Sequence, residues 1–231
     1  MLPKIKAPIF KVKIDEFPEE IAMRPFTLQE EKILLMAKQS GDREQIFTSI
    51  VQVVQNCIVD EKIKIEELPY FLIEYLFIML RVNSVGAVAD IMVTDPDTKK
   101  KRSARINMEN ISIVRKDKPN DVIELDEETT LYLSYPPMQA LAAIKSTDNV
   151  ESYFQSLMIC LDKVTEKKKV HEFKNYSFDE IEEFLGNLRN EHLDTIKAFY
   201  ESIPHVVSVA KYQDTKGNEK ELEIKGLYNF F

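Results

Sequence analysis

The stretch from Leu68 to Gly86, LPYFLIEYLFIMLRVNSVG, constrains this chain more than any other, because apolar and aromatic residues fill almost every position around one carboxylate, Glu74. A membrane span needs about 18 or more uninterrupted apolar residues. Tyr70 to Leu80 is shorter and is bounded by Pro69, by Arg81 and by the polar pair Asn83 and Ser84. It therefore reads as a helix buried on all sides, around which the remaining chain must build a core.

Glu74 is the chemical oddity of that helix, since an unpaired buried carboxylate is costly and drifts toward its neutral form. The structural reading places it on a narrow exposed strip or pairs it with Arg81, two turns along. A catalytic reading needs a second group, and the sequence sets none beside it.

The segments before this helix carry clear local signals. Ile9 to Ile14 and Glu20 to Arg24 alternate apolar and polar residues around Asp15, Glu16 and Pro18, as an opening hairpin does. Thr27 followed by Glu30 is a capping box, so a helix starts there and stops near Ser40 and Gly41. Ile46, Ile50, Val53 and Cys57 then recur at helical spacing from Asp42 to about Ile58. Three helices are thus expected within residues 27 to 83.

From Gly86 to Tyr135 the apolar period changes to two, with Asp95-Pro96-Asp97 as a turn and Pro136-Pro137 as a stop. Asp148 with Glu151 is a second capping box, for a helix through Phe154 and Leu161, and a polar stretch from Thr165 to Lys169 follows it. Ser177 with Glu180 is a third. Beyond it, Phe178, Ile181, Leu185, Leu188, His192, Ile196, Phe199 and Ile203 form one stripe, read as a single long helix or two nearly collinear ones, interrupted if anywhere at Gly186 and ended by Pro204. Val206 to Tyr212 and Glu219 to Ile224 form a closing hairpin.

The expected fold class is α+β: a helical core of three N-terminal helices plus a long C-terminal helix, with an inserted β-rich segment and terminal hairpins. The expected division is a hairpin and helical core over 1–86, a β-rich insert over 87–137, and C-terminal helices with a hairpin over 138–231 that pack with 1–86.

No catalytic, cofactor-binding or metal-binding residues emerge. The five glycines are too scattered to cradle a phosphate. His171, His192 and His205 lack the spacing that sets two imidazoles on one helix face. Cys57 and Cys160 sit in apolar helical patterns and read as reduced, buried thiols. A net charge of -8 disfavours attraction to nucleic acid or anionic lipid. Lys99-Lys100-Lys101-Arg102, with Arg105, is a local exception that reads as a solvated hairpin tip or a dock for an acidic protein surface.

Surplus apolar surface is the remaining signal. Leu227, Tyr228, Phe230 and Phe231 cluster where a frayed end would favour polar residues, and they either fold back onto their own domain or insert into a neighbouring subunit; with Phe199 and Ile203 on the long stripe they are the candidate protein-interface residues.

The opening LPKIKAPIFKVKI, the segment RPFTLQEEKILLMA (Arg24 to Ala37), the Tyr70 to Leu80 helix with its exit Arg81 to Gly86, and the ending IKGLYNFF (Ile224 to Phe231) resemble, in the same order, the baseplate hub proteins of T-even-type contractile-tailed bacteriophages. That family also includes hub-assembly chaperones, and residues 95 to 175 resemble it only loosely. The resemblance implies a non-enzymatic hub component or assembly factor without cofactors. Its partners would be other tail and hub proteins, the tape-measure protein among them, with no nucleic acid, no membrane span and homo-oligomers left open. It would work in the infected bacterium's cytoplasm during assembly and in the virion tail if retained. The alternative is a chaperone for the tape-measure or hub proteins that is absent from the finished virion.

Overall fold

The computed structural model describes residues 6–60, 63–117, 119–142, 144, 150–214 and 217–225. The chain divides into two compact units, Met1–Val114 with His205–Phe231, and Arg115–Pro204. These boundaries cut across the expected division at residues 86 and 137.

In the first unit, β1 (Phe10–Val12) pairs antiparallel with β2 (Ile21–Met23). Helices α1 (Leu28–Ser40), α2 (Arg43–Cys57) and α3 (Tyr70–Ser84) follow, within a residue or two of the expected positions. Helix α1 begins where Glu30 accepts from the Thr27 amide at 2.7 Å, and it ends at Gly41, whose φ of 68° is the left-handed conformation that glycine adopts most cheaply. Helix α3 is buried around most of its circumference, with Phe71, Leu72, Ile73, Leu76, Phe77, Ile78 and Leu80 all in the core. It packs against α2 and against strands β5 (Ser112–Val114) and β10 (His205–Gln213).

The sheet of this unit runs β11 (Glu219–Lys225), β10, β4 (Lys101–Asn107), β3 (Val88–Thr94), with β5 also on β10. Strand β10 thus bonds three neighbours. It supplies Val206 and Ala210 to the core that Ile106 and Met108 also enter.

The second unit holds a four-stranded antiparallel sheet in the order β6 (Val122–Glu124), β7 (Thr129–Leu133), β8 (Leu161–Glu166), β9 (Lys169–Glu172). Its helices are α4 (Met138–Ala142), α5 (Val150–Met158), α6 (Phe178–Gly186) and α7 (Asn190–Glu201). Leu131, Leu157, Cys160, Ile196 and Phe199 fill its core.

The expected helical core with an inserted β-rich segment is overturned by this architecture. Helices are interspersed among three antiparallel sheets, and no long C-terminal helix exists among the described residues. The stripe from Phe178 to Ile203 is broken at Asn187–Arg189: the Asn187 amide turns back to the Phe184 carbonyl at 3.2 Å, and Arg189 is extended with φ −75° and ψ 155° before α7 begins. The β-rich segment is also not one insert. Strand β3 pairs with β4, and β4 and β5 pair with β10, whereas β6 pairs with β7 and β7 with the hairpin β8–β9, where the sequence pattern reads as a helix end and a polar stretch. Asp148, and with it the second capping box, lies outside the described residues.

Candidate functional site

Helix α3 places Glu74 at 3 % exposure, so it does not lie on an exposed strip. The Arg81 pairing is also absent: the Arg81 guanidinium donates to the Gly86 carbonyl at 3.3 Å and reaches the Met108 sulfur at 3.6 Å. Glu74 Oε1 has no hydrogen-bond partner. Burial in apolar surroundings pushes its carboxyl up to about 8.

The histidines do not converge. His171 Nδ1 lies 2.7 Å from the Tyr176 hydroxyl at the surface. His192 is buried, and its Nε2 lies 3.0 Å from the Arg189 guanidinium, which can only donate, so that nitrogen is the acceptor. His205 opens β10. Among the described residues no group of three or more His, Cys, Asp or Glu side chains is placed to hold a metal ion. No helix among them is long and apolar enough to cross a membrane.

Burial pushes the Cys57 thiol up to about 11 and the Cys160 thiol up to about 12. Both should resist a thiol-directed aromatic disulfide at pH 8 in the native state and react fully once the chain is unfolded in denaturant. Rapid reaction of either thiol in the native chain would contradict the burial.

The expected interface residues divide. Phe199 is 1 % exposed and stacks on Tyr135 with ring centres 5.2 Å apart, and Ile203 is 8 % exposed. Both are interior residues of the second unit. Leu227, Tyr228, Phe230 and Phe231 lie outside the described residues.

Surface that is free for contacts is found instead in the first unit. Helix α1 turns Glu30, Leu34 and Ala37 inward and leaves Leu28, Leu35 and Met36 in solvent. The outer face of the large sheet carries a row of charges that crosses four strands: Asp90 to Arg105 at 3.2 Å, then Lys211 to Glu219 at 3.2 Å and to Glu221 at 3.4 Å. The hydrogen bonds that Lys211 donates to Glu219 and Glu221 raise its pKa above the ordinary value. These charges are ion-paired, with one carboxylate in excess, and an open cleft of about 1020 Å³ lies over them. Exposed Val88, Met92 and Val209 share the same face by register. An ion-paired, partly apolar face suits another protein better than it suits phosphate.

The basic segment is the β3–β4 hairpin tip. Asp95 organises it, accepting from the Thr98 hydroxyl at 2.8 Å and from the Asp97 amide at 2.9 Å, and the Thr98 bond leads the causes that hold its carboxyl below the usual range. Arg102 approaches Asp95 at 4.0 Å, whereas Lys99, Lys100 and Lys101 stand in solvent.

Sequence periodicity missed both the α1 face and the open sheet face. Leu35 and Met36 fall within an ordinary helical run, and only the burial of their neighbours reveals that they point outward.

No curated protein and no solved structure matches the chain. A family model described as T4 bacteriophage base plate protein matches residues 7–231, almost the whole chain, and the chain therefore belongs to that family of phage baseplate proteins.

Proposed function

We propose that this chain is a non-enzymatic component of the baseplate hub, or a factor that assembles the hub, and that it acts through protein–protein contacts. Family membership supplies a structural or assembly role in the phage baseplate, contacts with other baseplate proteins and a place in the virion tail. The observation that supports action by contact is the apolar surface that the first unit leaves in solvent, above all Leu28, Leu35 and Met36 on α1. An exposed cluster of large apolar side chains on a folded chain marks a surface that another protein covers. The terminal group Leu227, Tyr228, Phe230 and Phe231 adds anchors of the residue types that dominate interfaces.

Replacing Leu35 and Met36 together by glutamate tests this reading. Both side chains are exposed, so unfolding free energy should change by no more than about 0.5 kcal/mol. Incorporation into baseplates, measured by mass spectrometry of particles from infected cells, should fall tenfold or more. Undiminished incorporation would remove α1 as a contact surface. Quantifying the wild-type chain in finished tails separates a stoichiometric hub component from an assembly factor or tape-measure chaperone that departs.

A further inference from the structure

Strand β3 ends its sheet, and among the described residues no strand pairs with its backbone on that side. The Ala87 carbonyl accepts from the Met108 amide at 2.8 Å, and the Asp95 amide donates to the Lys100 carbonyl at 2.9 Å. With Val88 opposite Asn107 and Thr94 opposite Lys101, antiparallel alternation directs the odd-numbered residues' backbone groups toward β4. The amides and carbonyls of Val88, Asp90, Met92 and Thr94 therefore point away from the sheet. No strand covers them among the described residues.

The opposite edge is guarded and this one is not. The Asp214 amide bonds the Asn218 carbonyl at 3.0 Å, and the same alternation sets Glu219, Glu221 and Glu223 on the outer side of β11. A row of charge on an outer strand deters stray pairing. Strand β3 has neither lysine nor proline from Val88 to Thr94, its Val88 and Met92 are 58 % and 61 % exposed, and Asp90 is its one charged residue, against the three glutamates of β11. Just past Thr94 stand Lys99, Lys100 and Lys101, exposed cations on a chain whose net charge is -8. No ion pair engages any of the three among the described residues.

We propose that the free edge of β3 receives an extended segment of a different baseplate protein, which adds a strand to the sheet. That segment sets apolar side chains beside Val88 and Met92 and carboxylates beside Lys99 to Lys101. This rests on the reading above, that the chain works by contacts with other baseplate proteins. Main-chain bonds supply the affinity in such strand addition, and alternate side chains supply the selectivity. A second copy fits less well. Two β3 edges paired about Asp90 set that carboxylate against itself, and each lysine tip then lies beside residues 84 to 87, which hold no acid. The β11 edge brings glutamates toward Asp90.

Residue-resolved amide hydrogen exchange on the free chain and on baseplate assemblies isolated from infected cells tests the proposal. The amides of Val88, Asp90, Met92 and Thr94 should exchange rapidly in the free chain and slow a hundredfold or more in the assembly. Met92→Pro removes an amide that the chain's own sheet does not use, so folding should persist while incorporation falls at least tenfold. Zero-length carbodiimide coupling should join Lys99, Lys100 or Lys101 to carboxylates of another protein, and the triple change of these lysines to glutamate should weaken incorporation without touching the sheet. Rapid exchange at all four amides in assemblies that contain the chain would overturn the proposal and leave the baseplate role intact. Absence of the wild-type chain from every baseplate assembly would instead defeat the role itself. Concentration-dependent protection in the free chain would assign the edge to a second copy and overturn the choice of partner.

Discussion

Replacing Glu74 by methionine should stabilise the chain by about 4 kcal/mol at pH 8 and by little at pH 4. The ordinary carboxyl value of 4.5 is raised to about 8 by burial in α3. The folded state therefore holds a proton that the unfolded chain releases. A carboxyl raised on folding contributes no penalty below pH 4.5, and the native state is progressively disfavoured as pH rises from 4.5 to 8. Over that window the penalty approaches about 4 to 5 kcal/mol at about 1.36 kcal/mol per pH unit. Methionine is apolar, unbranched and a good helix former, so it fills the site without a polar atom to satisfy. Glutamine is a weaker remedy, because its amide would still need partners inside the core. Denaturant titrations of both proteins at pH 4, 6 and 8 measure the effect. Parallel stability curves would mean that Glu74 ionises freely and is not enclosed as described.

Glu30 should show the opposite slope. Burial alone would raise its carboxyl, but the Arg24 guanidinium at 2.8 Å, the Thr27 hydroxyl and the Thr27 amide outweigh burial and lower it to about 2. A carboxyl depressed on folding stabilises the native state above its unfolded value of 4.5, and that contribution is lost as pH falls from 4.5 to 2. The loss is about 2 kcal/mol once solvent screening at the partly exposed Arg24 is counted. Arg24 also donates to the Asn56 carbonyl in the last turn of α2 at 2.9 Å, so it joins the start of α1 to the end of α2. Glu30→Ala should therefore cost about 2 to 3 kcal/mol at pH 7, because it opens the first turn of α1 and leaves a partly buried guanidinium without its carboxylate. The variant should also lose most of the wild type's acid sensitivity between pH 4.5 and 2. A variant that stays as acid-sensitive as the wild type would show that other carboxylates govern that range.

These two residues also show what the sequence conveys. Glu30 was legible because a capping box is local: Thr27 and Glu30 are three residues apart, and the geometry of a helix start joins them. The third capping box, Ser177 with Glu180, was legible for the same reason. The ion pair with Arg24 was not, since it depends on how β2 meets α2. Glu74 was recognisable as anomalous, but whether it faced solvent, Arg81 or the core depended on what packs around α3, and sequence spacing is silent on that. Strands β8 and β9 were missed because each is short and mostly polar, with Val164 the residue of β8 that stands opposite Leu131 and the turn passing through Lys167 at φ 54°. The break between α6 and α7 follows Gly186, the residue named as the interruption, but the stripe also read as one helix because Leu188 continues it through a segment that is no longer helical. The open face of the large sheet could not be foreseen at all, because it joins strands separated by the whole second unit.

Val114 and His205 sit side by side in register, although everything from Arg115 to Pro204 intervenes. A ribosome that has reached Pro204 has delivered the second unit whole and the first without its most connected strand. The sheet of the first unit therefore cannot close until β10 and β11 have been made, after every residue of the second unit.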